Sequence, residues 1–175
     1  PVLILNGDQS MSQVQDQLQE VDMPADAPVH IQTNWHLKRM HRFCELMDEI
    51  KPKLVIVDSL IGCSGGSAFD ENKSEFASPL YWLSNYNGSA FPATTVLVIH
   101  HANKQGGFRG TSAIRDSVDE TWALKRPTAE QIEKHPELRS VRFINIEKSR
   151  SGRSGTQLAM KMESDLSFSV SDATP

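Results

Sequence analysis

A chain of 175 residues is long enough for one domain with its own core, and its composition, 38% hydrophobic and 23% charged, is that of an ordinary globular protein. The formal net charge of -4 excludes a global positive field for nucleic acid, so any basic patch must be local. Two cysteines, Cys44 and Cys63, lie in unrelated contexts without metal-ligand spacing. They point to reduced structural thiols in a cytoplasmic protein rather than to a disulfide framework.

The N-terminal half alternates strands and helices. Val2 to Leu5 is a continuous apolar run, the mark of a strand covered on both faces. Ser10 reads as a helix cap with Gln13 in the capping-box position, and Val14 and Leu18 lie four apart behind it. Residues 22–28 are loop and Val29 to Ile31 a short strand. Leu37, Met40, Cys44, Met47 and Ile50 keep helical spacing, which predicts a helix over Trp35 to Ile50 ended by Pro52. Leu54 to Val57 is a second buried strand, followed by a Gly/Ser loop over Gly62 to Gly66. A helix is expected over Glu75 to Tyr86, and a third buried strand over Thr94 to Ile99. This order implies parallel strands joined by crossover helices, an α/β sheet covered on both sides.

Beyond Ala102 the texture changes. Gln105-Gly106-Gly107 is loop, Trp122 to Lys125 a short strand, and Thr128 to His135 a helical turn. Val141 to Glu147 and Thr156 to Met162 alternate in hydropathy around Ser151 to Gly155, which predicts a β-hairpin with a Gly-containing tip. Leu166 to Val170 can add a last strand, and Ser171 to Pro175 is expected to fray. Pro1 opens directly into a strand-like run without a charged leader. No apolar stretch approaches the roughly 20 residues of a membrane span.

Ligands of open parallel sheets bind beyond the carboxyl ends of the strands, and each buried strand here ends in polar residues. Four apolar residues followed by Asp58 and Ser59 form a Walker B pattern, whose carboxylate holds the water shell of Mg²⁺ beside nucleotide phosphates. Asp8 ends the first strand. A right-handed connection makes that strand the neighbour of the Asp58 strand, where a second carboxylate can orient and deprotonate water. His100 and His101 follow the third strand. Successive strand residues face opposite ways, so the two do not share one metal ion, and zinc is not expected. Lys104, Phe108, Arg109 and Arg115 lie in a Gly-rich stretch free of acids until Asp116; its cations suit DNA phosphates and its ring can stack on a base. Lys148 and Arg150 share a face while extended and suit phosphate. Taken singly, each has a plainer reading as well: strand-end cap, turn residue, solvated loop or charged hairpin end.

Together, and in this order, Asn6-Gly7-Asp8, Lys53 to Ser59, Val96 to Lys104, Arg109 to Asp119 and Lys148 to Gly152 resemble the RecA-like ATPase domain of DnaB-type hexameric replicative helicases, most closely the plasmid and phage branch with the RepA-like helicases. Ile99-His100-His101-Ala102-Asn103-Lys104 with Phe108 to Ile114 is the most specific piece. The resemblance implies one RecA-like core spanning residues 1–175, and a homo-oligomeric ring of six subunits driven along single-stranded DNA by ATP and Mg²⁺. In it Asp58 is the Walker B carboxylate. Asp8 stands where the family usually has a glutamate, one methylene longer. His101 falls where Gln often serves as a sensor, and Lys148 and Arg150 reach the neighbour's γ-phosphate as an arginine-finger pair. No Gly-x-x-x-x-Gly-Lys-Ser/Thr occurs in the sequence, so the resemblance implies a phosphate-binding loop upstream of residue 1. A non-catalytic RecA-like module that binds DNA or a helicase, and a recombinase or clock-type ATPase, are the alternatives. A serine hydrolase is disfavoured because no Gly-x-Ser-x-Gly elbow is present.

Overall fold

The structure, a computed structural model, describes residues 1–65, 70–163, 165 and 167–173, and of 87 and 88 the backbone. It divides into two compact units, Pro1–Ser117 and Val118–Pro175.

The first unit is built on four parallel strands, β1 (Val2–Asn6), β2 (Val29–Thr33), β3 (Leu54–Asp58) and β4 (Thr95–Val98), in the order β2-β1-β3-β4. The expected pairing of the first and second buried strands is present, with Asn6 in register with Asp58. Leu3, Leu5, Val55 and Val57 point to one face and are fully buried, with Trp35, Phe43, Met47 and Leu60 in the same core. Helix α1 (Met11–Glu20) starts at the predicted capping box: Ser10 accepts from the Gln13 backbone, and the Gln13 side chain accepts from the Ser10 backbone.

Helix α2 (Met40–Ile50) is shorter than its hydrophobic spacing suggests. Asn34 adopts a left-handed conformation (φ 55°), and Leu37 donates its backbone N–H to the Cys63 carbonyl. Trp35 and Leu37 therefore enter the core from an irregular segment, not from the first turns of a helix. The helix expected over Glu75 to Tyr86 is a succession of shorter pieces: a 3-10 turn (Ser74–Ala77), α3 (Ser78–Trp82), a π-helical turn (Leu83–Asn87) and α4 (Gly88–Ala90). The Gly/Ser loop is a turn through residue 65; Gly66 lies outside the described residues. A short helix α5 (Ser112–Asp116), capped by the Thr111 side chain, had no counterpart in the sequence reading.

The second unit carries β5 (Glu120–Lys125), α6 (Ala129–Lys134), β6 (Val141–Ser149), β7 (Gln157–Met162) and β8 (Phe168–Asp172). The strands form an antiparallel sheet in chain order, so the predicted β6–β7 hairpin is the centre of a four-stranded sheet. Pairing with β7 holds Ser171 and Asp172 in β8, where fraying was expected. Leu166, the expected start of that strand, and residues 174–175 lie outside the described residues.

At the head of the β6–β7 hairpin, Glu120 is a hub. It accepts from the hydroxyls of Ser149 (2.8 Å) and Ser151 (2.9 Å), from the Arg153 guanidinium (2.9 Å) and from the Trp122 indole (2.9 Å). The Ser149, Arg153 and Ser151 side chains, in that order, pull its pKa from the ordinary 4.5 down to about 2. A carboxylate whose folded pKa is depressed stabilises the fold above its ordinary pKa and loses that contribution as pH falls through the folded value. We expect the Glu120 carboxyl to titrate near pH 2 by carbon NMR, with the amide signals of residues 149–153 moving in the same window. Glu120→Gln should loosen the hairpin tip at neutral pH; a midpoint near 4.5 would show that these contacts do not hold the carboxylate.

Candidate functional site

Three neighbouring strands of the parallel sheet deliver Asp8, Asp58 and His101 to one edge. The Asn6 side chain shapes the first of these tips. Its Oδ1 accepts from the backbone N–H groups of Asp8 (3.0 Å) and Gln9 (2.8 Å), and the Gly7 N–H donates to the Asp58 carbonyl at 2.7 Å. The chain thus turns sharply off β1 and presents the Asp8 carboxylate, with its Oδ2 3.5 Å from His101 Nε2. Gly62 makes room for it: a Cβ there would lie 1.8 Å from Asp8 Oδ1.

Asp58 is half-buried, and its pKa is raised, first by burial and then by the negative charge of Asp8, with His101 acting in the opposite sense. Beneath the cluster Cys63 is fully buried, its Sγ 3.6 Å from the Leu5 carbonyl, and burial together with Asp8 and Asp58 pushes its thiol up to about 12. A thiol held protonated in this way is not a nucleophile. Ser59, expected to touch a nucleotide, is completely buried, and its hydroxyl accepts from the Gly62 N–H at 3.3 Å. It supports the turn that carries Gly62.

The two histidines meet different surroundings. His101 is largely exposed beside Asp8, whereas His100 donates from Nε2 to the Arg109 carbonyl (2.8 Å) and lies 5.7 Å from the Phe108 ring, centroid to centroid. Phe108, expected to stack on a base, packs against the core with the Arg115 guanidinium 5.5 Å from its ring centre. The Gly-rich loop is also more ordered than its composition suggests. Asn103 Oδ1 accepts from the Gln105 and Gly107 N–H groups, and its Nδ2 donates to the Phe108 carbonyl. Lys104 is exposed on this turn. Arg109 is ion-paired with Glu71, whose carbonyl also accepts from the Thr111 N–H. Gly110 (φ 87°) lets the chain pass there, since a Cβ would stand 2.7 Å from the Glu71 carbonyl oxygen. Nothing in the sequence signalled the Glu71–Arg109 pair; Gly62 had a signal, a glycine shortly after a strand-terminal aspartate.

In the second unit, Lys148 donates to the Val118 carbonyl (2.7 Å) and Arg150 pairs with Asp119 (2.7 Å), both partners of the latter being mostly exposed. A β-bulge between Thr121 and Trp122 shifts the register, so that Lys148 stands opposite Thr121 and Ile146 opposite Trp122.

Among the described residues no group of three or more His, Cys, Asp and Glu side chains is arranged to hold a metal. A cation at Asp58 would therefore complete its shell with water or phosphate oxygens, the habit of Mg²⁺. The residues fit such an ion: two carboxylates converge on one edge, and the burial and, after it, the Asp8 charge that raise the Asp58 pKa are both offset by a divalent cation. Among the described residues no helix is long and apolar enough to cross a membrane.

The parallel sheet with flanking helices, its strand-end acids and the C-terminal antiparallel sheet define a RecA-like α/β fold. Among solved structures the chain is similar to the KaiC-like protein PH0186 from the hyperthermophilic archaeon Pyrococcus horikoshii OT3, with a TM-score of 0.70 and 14% sequence identity over 98% of this chain and 75% of that one. At this identity the likeness shows the fold. No protein-family model matches the sequence, and no curated protein matches it.

Proposed function

We propose that residues 1–175 are the greater part of a RecA-like ATPase core that couples ATP hydrolysis to movement along single-stranded DNA, in the manner of DnaB-type ring helicases. The observation that carries this reading is the meeting of Asp8, Asp58 and His101 on one edge of the parallel sheet. Asp58 would hold Mg²⁺ through water. Asp8 would orient and take a proton from the attacking water, and His101, in contact with Asp8, would relay the state of the γ-phosphate. Bound Mg²⁺ supplies charge neutralisation for the phosphates. Lys104, Arg109 and Arg115 would face DNA, with Arg109 exchanging Glu71 for a phosphate. Lys148 and Arg150 would complete the site of a neighbouring subunit in a hexamer.

The phosphate-binding loop is the element that these residues do not contain. The reading therefore requires a phosphate-binding loop supplied from outside residues 1–175.

The test is ATP hydrolysis by the full natural polypeptide with and without single-stranded DNA. Hydrolysis stimulated by DNA and lowered about 100-fold or more by Asp58→Asn is expected, since the metal's anchor is then neutral. Hydrolysis indifferent to DNA would favour a clock-type ATPase. No hydrolysis would favour a non-catalytic module that binds DNA or a helicase.

A further inference from the structure

We infer that a second, phosphate-binding pocket opens where β2 gives way to α2, separate from the Asp8–Asp58 cluster. A groove of about 320 Å³ is lined there by Gln32, Asn34, Trp35, Arg39, His41 and Arg42. Its lining is rich in hydrogen-bond donors and holds no carboxylate, so the chemistry it offers suits an acceptor-rich anion. Two guanidinium groups, with planar forks that match phosphate oxygens, stand with an imidazole at one end of the groove's sequence, and two side-chain amides stand at the other.

Two further observations point to a ligand. Trp35 is 1% exposed, and its indole N–H is buried with no hydrogen-bond partner among the described residues. An indole nitrogen only donates, and a buried donor left unpaired costs on the order of 1–3 kcal/mol, so its presence beside a groove calls for an acceptor. Helix α2, eleven residues long, begins at Arg39 without a side-chain cap. The N–H groups of its first turn, in the stretch that supplies Arg39, His41 and Arg42, add the positive end of the helix dipole to the same groove. Arg42 donates one of its N–H groups to Glu45 at 2.9 Å, an exposed pair that leaves the rest of the fork in place. The left-handed Asn34 carries the chain off β2 into the irregular segment that buries the Trp35 ring. Asparagine adopts that conformation more readily than most residues.

The ligand class is a phosphate group, whether on a free nucleotide or on a nucleic-acid backbone. The pocket uses neither Asp8 nor Asp58, so its test stands apart from hydrolysis. Sodium phosphate, ADP and an oligo-dT strand are titrated in turn onto the chain, at fixed ionic strength, while the Trp35 indole N–H signal is followed by NMR. That signal is assigned by its loss in Trp35→Phe. Saturable displacement of the signal is expected. It should weaken about tenfold or more in Arg39→Gln/Arg42→Gln and be unaffected by Lys134→Gln, an exposed α6 residue of the second unit outside the groove. Tighter binding of ADP than of oligo-dT assigns the site to a nucleotide, and the reverse assigns it to a nucleic-acid backbone. A signal that none of the three probes displaces, or one displaced equally in the double variant, overturns the proposal. The unmodified protein alone decides the first of these, so a folding defect in the variant cannot obscure it.

Discussion

Arg150→Ala in the full polypeptide is expected to lower kcat for ATP hydrolysis by about 10³ or more while leaving nucleotide affinity nearly unchanged. A guanidinium delivered to the γ-phosphate acts on charge that develops in the transition state, so its loss appears in the rate and not in ground-state binding. In the structure Arg150 is held by Asp119 at 2.7 Å. Exposed ion pairs of this kind are worth about 0–1 kcal/mol, so the pair positions the side chain without preventing exchange to a phosphate. Its neighbour Ser149 is fixed to Glu120, which keeps the start of the hairpin tip in place. The trans role has a sharper readout. Mixing Arg150→Ala subunits with Asp58→Asn subunits should restore part of the activity, because some interfaces then combine an intact Asp58 with an intact Arg150. Loss of nucleotide binding in the single variant, or no recovery on mixing, would place Arg150 in its own subunit's site.

The second large effect concerns stability. Gly7→Ala is expected to destabilise the first unit by about 3 kcal/mol, a fall in Tm of roughly 10 °C. A Cβ on Gly7 would stand 2.4 Å from the Gly62 carbonyl carbon and 2.6 Å from the Cys63 nitrogen. Both are backbone atoms on the turn after β3, and Cys63 N–H is already bonded to the Ser59 carbonyl, so relief requires one strand end to move. Gly62→Ala offers the contrast. Its Cβ would meet the end of the Asp8 side chain, which can swing away, and Gly7 backbone only at 3.0 Å. The cost to stability should be smaller and the loss of hydrolysis larger, since the carboxylate is displaced from His101. Thermal unfolding followed by circular dichroism, beside the hydrolysis assay, separates the two. Equal melting temperatures for Gly7→Ala and the unaltered chain would refute the close approach of the two turns.

What the sequence determined by itself is local or periodic. Val2 to Leu5 and Leu54 to Val57 were legible as strands from their short apolar runs ending in polar residues; the structure fully buries one face of each and leaves the other, expected to be covered as well, half-buried. The Ser10–Gln13 capping box spans three residues and needs no tertiary partner. The adjacency of Asp8 and Asp58 was expected from the sequence but decided by the strand order β2-β1-β3-β4, because the handedness of a crossover fixes only which face its helix covers. Only the tertiary structure decided the features that join residues far apart in the chain. Asn34 and the Leu37–Cys63 hydrogen bond withdrew Trp35 from a helix that its spacing suggested. Glu71 took Arg109 across 38 residues, and Glu120 gathered Ser149, Ser151 and Arg153 around itself. Phe108, sequentially in a glycine-rich loop, found the core. Hydrophobic spacing records which face of an element is apolar. It carries no record of which polar group from a distant segment arrives at the end of that element, and here those arrivals set where α2 begins, what holds Arg109 and how the hairpin tip beside Arg150 is fixed.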